Sequence, residues 1–310
     1  MTIGLTGNMW IMAGMYKRTI RKIGFALILL LLTSSVLAAN TNKPFLWRVT
    51  SDSATVYLLG SLHAATIDMY PLPQPLYDAF DKSSYLVVEL DIGKIDPQEQ
   101  LALTQQYGIY TDGSALAQHI SKDAWKKLDS YLQERGLPNL LFKSMKPWLA
   151  NLTITIGEFT RLGYDTKLGI DQHFLNRAKG KPILELETLE QQMKVLSSAS
   201  DKQQEADLIV TLDNIDNINE SVQLMRKYWE QGDAEKLYEA MRQDSEKFPG
   251  YEKQWEALLD KRNIKMAKKI NSYLKGDATY FVIVGALHLG GKKGLINLLD
   301  KKHAVEQVLN

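Results

Sequence analysis

Two histidines stand in the same local setting at opposite ends of the chain. His63 closes Gly60-Ser61-Leu62-His63, and His288 closes Gly285-Ala286-Leu287-His288. Each run follows a β-rich apolar segment, and only five histidines occur in 310 residues, so the repetition carries information. In an open α/β sheet, ligands gather beyond the carboxyl ends of strands. If the two strands lie side by side, about 5 Å apart, the imidazoles converge on one ion or one substrate. Neutral imidazole is a common metal ligand and a usable base near neutral pH. The glycine opening each run lets the chain turn sharply and lets another group approach the backbone.

Carboxylates occupy similar places. Glu89 follows Val87-Val88, and Asp91 lies two residues on, on the same face of a continuing strand. A carboxylate at the mouth of a buried strand is costly unless paired, hydrogen-bonded or bound to a cation. Beside two histidines, Glu89 completes a mixed nitrogen–oxygen metal shell. Glu185 and Glu187 repeat the pattern after Pro182-Ile183-Leu184, where a structural ion pair is as reasonable as a functional role. Several other templates are missing: no His-Glu-x-x-His, no Gly-x-Ser-x-Gly elbow and no cysteine nucleophile occurs. The segment 285–292 resembles a phosphate loop but has Gly291 where the lysine should follow Gly290, and Lys293 follows Lys292 where Ser or Thr belongs. A helix beginning after Gly290-Gly291 would still offer backbone amides to an oxyanion. The charged stretch Lys265–Lys269 reads as a solvated helix face.

The elements that must position these groups are legible in outline. Residues 45–50 and 54–59 form a hairpin around Ser51-Asp52-Ser53. A Pro-rich stretch, Pro71 to Pro75, opens a short helix to about Asp81. Residues 85–91 form a strand whose continuous apolar start implies a sheet covered on both faces. Helices fill residues 97–162, broken near Gly108–Gly113, Gly136-Leu137-Pro138 and Met145-Lys146-Pro147, and again fill 188–275. Between them lies a short strand, 183–187. Strand 280–284 runs into Gly285, and a last helix and a weak strand, 304–308, close the chain. The fold class is therefore α/β, a central sheet formed by strands near both chain ends with a largely helical middle lobe.

The N-terminus has the order of a secretory signal. Lys17, Arg18, Arg21 and Lys22 precede an apolar run from Ile23 to Leu32, and small residues lead to Val36-Leu37-Ala38. Residues 1–38 are thus expected to be a cleaved signal peptide, with 39–310 a periplasmic or secreted domain; an uncleaved signal would instead anchor the protein to a membrane. The apolar run falls short of the roughly 20 residues of a comfortable span, so no stable transmembrane segment should remain. Removing residues 1–38 takes four positive charges and no acids, moving formal net charge from +1 to −3. Neither value suits a nucleic-acid surface. With no cysteine, the exported fold rests on core burial alone.

Taken in order, these residues resemble the TraB/GumN family, which includes the animal Tiki proteases and the enterococcal pheromone-shutdown proteins. The matching pieces are Gly60-Ser61-Leu62-His63, Val88-Glu89-Leu90-Asp91, Met145-Lys146-Pro147-Trp148, and Gly163-Tyr164 with Gly169-Ile170-Asp171. They continue through Ala178-Lys179-Gly180-Lys181-Pro182 and Leu186-Glu187-Thr188 to Arg262-Asn263 and the Gly285–Gly291 run. The resemblance implies an α/β core with two similar Gly-x-x-His halves, distantly similar to erythromycin esterases and haem-binding ChaN proteins. For the Tiki members it implies a metallopeptidase using manganese or cobalt rather than zinc. Carried over, His63, Glu89 and His288 become the metal or catalytic set. Arg262 and Asn263 become polar groups reaching the site from a helix, and Glu187 joins it from the end of strand 183–187. The expected activity is metal-dependent hydrolysis of a peptide-like substrate, with Glu89 as ligand or base and Arg262 on the developing oxyanion. A metal-free variant with a histidine base stays open, as does a ChaN-like protein whose histidines bind haem or another ligand without turnover.

Overall fold

The computed structural model describes residues 43–309, so the expected signal, 1–38, lies outside the described residues. The chain opens with strands β1 (Leu46–Thr50) and β2 (Thr55–Ser61), the antiparallel hairpin expected around Ser51-Asp52-Ser53. Helix α1 (Gln74–Lys82) leads to β3 (Tyr85–Val88). Four helices follow: α2 (Pro97–Gly108), α3 (Lys122–Glu134), α4 (Pro147–Arg161) and α5 (Ile170–Arg177). Proline at the first helical position starts α2 and α4, where its missing N–H is no loss.

After β4 (Ile183–Glu185) come helices α6 (Leu189–Leu196), α7 (Asp201–Asp213), α8 (Ile218–Glu230), α9 (Ala234–Ser245) and α10 (Tyr251–Trp255). Thr188 caps α6 in a reciprocal capping box with Gln191. A π-helical turn, Glu256–Asp260, then feeds α11 (Lys261–Tyr273). The chain closes with β5 (Thr279–Gly285), α12 (Leu295–Asp300) and β6 (Ala304–Gln307).

The six strands form one mixed sheet in the order β4-β3-β5-β2-β1-β6. Its first four strands are parallel, and β1 and β6 add an antiparallel edge. Leu86, Val87 and Val88 of β3 and Phe281 through Val284 of β5 are all buried, as a sheet covered on both faces requires. Phe281 meets Phe80 of α1 and Phe174 of α5, with ring centroids 5.5 and 4.9 Å away. Met266 and Ile270 of α11 and Leu295 and Leu299 of α12 belong to the same core. A second core, built on Leu116, Leu128, Leu132, Phe142, Ile154 and Leu208, holds the helical lobe together. Strands near both ends with a helical middle were expected, and that is the architecture.

Candidate functional site

The carboxyl ends of all four parallel strands open on one region. His63 lies two residues past β2, Glu89 one past β3, Glu187 two past β4, and Gly285 ends β5 just before His288. The strands β2 and β5 are neighbours, paired Leu59 with Ile283 and Ser61 with Gly285. The two Gly-x-x-His runs are therefore staggered by one residue rather than aligned.

Neither glycine makes the sharp turn expected of it. Gly60 sits inside β2, where a β-carbon would collide with the Phe45 ring. Gly285 has ordinary angles (φ −54°, ψ 139°). A β-carbon there would lie 3.1 Å from His63 Nε2, 3.4 Å from Glu89 Oε1 and 3.6 Å from His288 Cδ2. Close approach is the reason for both glycines, and at Gly285 what approaches is the candidate site itself.

Each imidazole is held by its Nδ1. His63 Nδ1 is 3.1 Å from Asp171 Oδ2, at the start of α5. Ser61 fixes that carboxylate, donating from Oγ to Oδ1 at 3.1 Å and accepting the Asp171 amide at 3.1 Å. His288 Nδ1 is 2.5 Å from Asn263 Oδ1, and Asn263 Nδ2 donates to the Lys293 carbonyl at 2.9 Å. The amide oxygen can only accept, so His288 donates from Nδ1 and its Nε2 carries a lone pair. That Nε2 faces Glu89 Oε1 at 3.7 Å. An ionised Asp171 likewise takes the Nδ1 proton of His63 and leaves Nε2 as the atom next to Gly285.

Glu89 is buried and fully engaged. Its Oε1 accepts the Gly285 amide at 2.5 Å, and its Oε2 accepts from Arg262 Nη2 at 2.6 Å. Arg262 bridges to Glu187 through Nε (2.9 Å) and Nη2 (2.6 Å), and its Nη1 donates to the Leu258 carbonyl in the π-helical turn at 3.0 Å. Gln192 of α6 reaches both Glu89 and Glu187. Most of the guanidinium's N–H groups are thus committed to holding carboxylates. The oxyanion role expected of Arg262 loses its donors to these bonds, and a positioning role takes its place.

Burial opposes ionisation of Glu89, but the charges of His288, His63 and Arg262 and the Gly285 amide outweigh it and hold the pKa at about 2. Burial lowers the His288 pKa to about 4 against the pull of Glu89, so at neutral pH this ring is uncharged. Glu89 then depends on His63, Arg262 and the Gly285 amide. Desolvation pulls the His63 pKa down, and the hydrogen bond and charge of Asp171 overcome it and raise it. Its side chain is 60% exposed while that of His288 is 4% exposed, so the site opens at His63 and has its floor at His288.

Other expectations fall elsewhere. The strand stops at Val88, so alternation does not carry Asp91 beside Glu89; it turns away and pairs with Lys94 at 2.9 Å. Glu185 is structural, accepting the Asp91 amide at 2.7 Å. The amide of Gly291 is spent on Glu235 at 2.9 Å, and the helix beyond starts only at Leu295, so no oxyanion cradle forms there. Asp171, Ser61 and Gln192 were not singled out from the sequence as site residues. Asp171 lay within the quoted Gly169-Ile170-Asp171 piece, which was the signal available. Among the described residues no group of three His, Cys, Asp or Glu stands ready at metal-ligand spacing.

The region that assembles this site is also the region shared with other proteins. The TraB/PrgY/gumN family model matches residues 45–307, from just before β1 to the end of β6, and the chain belongs to that family. It is 29% identical over 248 residues to the uncharacterised protein YbaP of Escherichia coli (strain K12), covering 78% of this chain and 87% of YbaP. YbaP of Shigella flexneri gives the same identity and coverage. No solved structure matches.

Proposed function

We propose that the protein is a metal-dependent hydrolase acting on a peptide-like substrate outside the cytoplasm. One observation carries this reading. His63 Nε2, His288 Nε2 and Glu89 Oε1 border one small space beside Gly285, and His63 joins the other two as an electron-pair donor on giving up its Nε2 proton. A lone pair facing a carboxylate at 3.7 Å is repulsive unless positive charge lies between them. Around this space three carboxylates, Glu89, Glu187 and Asp171, stand against two positive groups, the Arg262 guanidinium and the His63 ring, whose pKa is raised. In this reading His63, Glu89 and His288 draw together on a divalent cation, since they do not stand at metal-ligand spacing without it, with manganese or cobalt favoured over zinc by the family's Tiki members. When bound, such an ion supplies Lewis acidity to polarise a scissile carbonyl.

The chain's own groups have separate tasks. Asp171 and Asn263 fix the two rings through Nδ1, the kind of outer support that orients metal-binding histidines. Arg262 and the Gly285 amide keep Glu89 ionised and aimed at the space. His63, on the open side, is the ring a substrate meets first. Export rests on the basic-then-apolar N-terminus, and a mature start near Ala38 or Ala39, read by mass spectrometry, supports it; a full-length cytoplasmic product removes it.

A peptide library incubated with chelator-stripped protein, with and without manganese, cobalt or zinc, tests the activity. Cleavage that appears with metal and is lost in His63→Ala and His288→Ala supports the reading. No cleavage with any of the three ions, together with a haem Soret band abolished by either substitution, replaces it with a ligand-binding role.

A further inference from the structure

Beside the candidate site lies a cavity of about 550 Å³ between α6 and α11, within the size range of small-ligand pockets. It shares Glu187 and Arg262 with that site, and Lys194, Lys265, Lys268 and Lys269 are among the residues that line the rest of it. The spacing 265, 268, 269 puts three lysines on one face of α11, opposite the face that buries Met266 and Ile270. Lys194 is paired with Glu190 at 2.8 Å. Among the described residues, Lys265, Lys268 and Lys269 have no carboxylate within 4.0 Å, and Lys269 Nζ reaches only the Glu185 carbonyl at 3.3 Å. The carboxylate that lines the cavity, Glu187, is paired with Arg262 at 2.6 Å, a guanidinium it shares with Glu89.

A solvated helix face, as the sequence suggested, would usually mix acids with its lysines. Here like charges crowd a concave space that opens beside a hydrolytic centre. Clefts lined by one sign of charge focus the field and concentrate ligands of the other sign. Leu186 and Val195 supply apolar wall for the methylenes of a side chain.

We infer that this cavity is a substrate subsite that takes the carboxylates of an acidic peptide. The inference rests on the hydrolase reading and names the substrate class for it. Lysines are point charges that accept carboxylate or phosphate. The substrate here is a peptide, and the two anions are separated below by competition.

The experiment measures fluorescence anisotropy of a labelled peptide carrying three consecutive glutamates, and of its glutamine analogue. It uses chelator-stripped wild type, the triple variant Lys265→Gln/Lys268→Gln/Lys269→Gln, and a control, Lys301→Gln/Lys302→Gln. The control positions precede β6, at the sheet edge opposite β4. The acidic peptide should bind wild type at least tenfold more tightly than its analogue, and weaken with added salt. The triple variant should lose at least tenfold and the control nothing, with circular dichroism showing both folded. Binding is read on chelator-stripped protein, with no metal and no turnover, so a failed cleavage assay and a failed subsite are separate results. Equal binding by the triple variant, or an equal loss in the control, overturns the subsite. Displacement by pyrophosphate but not by millimolar glutamate assigns the cavity to phosphate and overturns the acidic-peptide assignment.

Discussion

Gly285 owes its identity to its neighbours. Its angles, φ −54° and ψ 139°, are open to any residue. A β-carbon there would stand 3.1 Å from His63 Nε2 and 3.4 Å from Glu89 Oε1, in the space the proposed ion needs. Gly285→Ala should therefore keep the fold and damage the site. The expected loss is on the order of 10²-fold in kcat/KM, as for a displacement of about 1 Å in a catalytic group. Thermal unfolding should stay close to wild type. Unchanged turnover in the alanine variant would show that the space is not used. At this level the sequence was informative where chemistry repeats: His63 and His288 were visible through their matched runs, and Glu89 through its place after an apolar strand. Asp171 was harder to find because it is 108 positions from His63 and only the fold brings α5 to the end of β2.

The pairing of β2 with β5 makes two distant histidines neighbours. Apolar runs revealed both strands, but not that β5 inserts between β3 and β2, since residues 55–61 and 279–285 find each other only through tertiary contact. The one-residue stagger was equally invisible, because identical motifs say nothing about register. It places the rings unequally, one on the open side and one on the floor. They should nevertheless work as a unit. His63→Ala and His288→Ala should each remove nearly all metal-dependent cleavage, and the double variant should add little, because groups acting together are strongly non-additive. A His119→Ala control should be silent, since His119 stacks on Tyr110 with centroids 3.7 Å apart in the helical lobe. Losses that multiply in the double variant would show two independent roles.

The helical lobe has its own core and its own buried ionic group. On α4, Ala150, Ile154 and Glu158 share a face at helical spacing, so the pattern puts a carboxylate where a core residue belongs. Tyr131 (3.0 Å), Arg135 (2.8 Å) and Arg161 (2.6 Å) satisfy it. Burial pushes the Glu158 pKa up, and these donors outweigh it and hold it below the ordinary carboxylate value. A depressed folded pKa adds stability that is present above the unfolded pKa, about 4.3. That stability is lost as pH falls through the folded value. Urea unfolding should then show Glu158→Gln less stable by about 1–3 kcal/mol at pH 7, the cost of charge-assisted bonds to a buried group. The gap should narrow toward pH 3, and a gap that stays constant with pH would contradict the assignment.

For the molecule as a whole, the test is whether strand ends from both halves of the chain hold one cation between them. Calorimetric titration of chelator-stripped protein with manganese, cobalt and zinc near neutral pH reads this directly. The proposed function predicts one site per chain for at least one of these ions, lost in His63→Ala, in His288→Ala and in Glu89→Gln. It should be retained in His119→Ala. Absence of binding, or binding that survives both His63→Ala and His288→Ala, would contradict a shared metal centre.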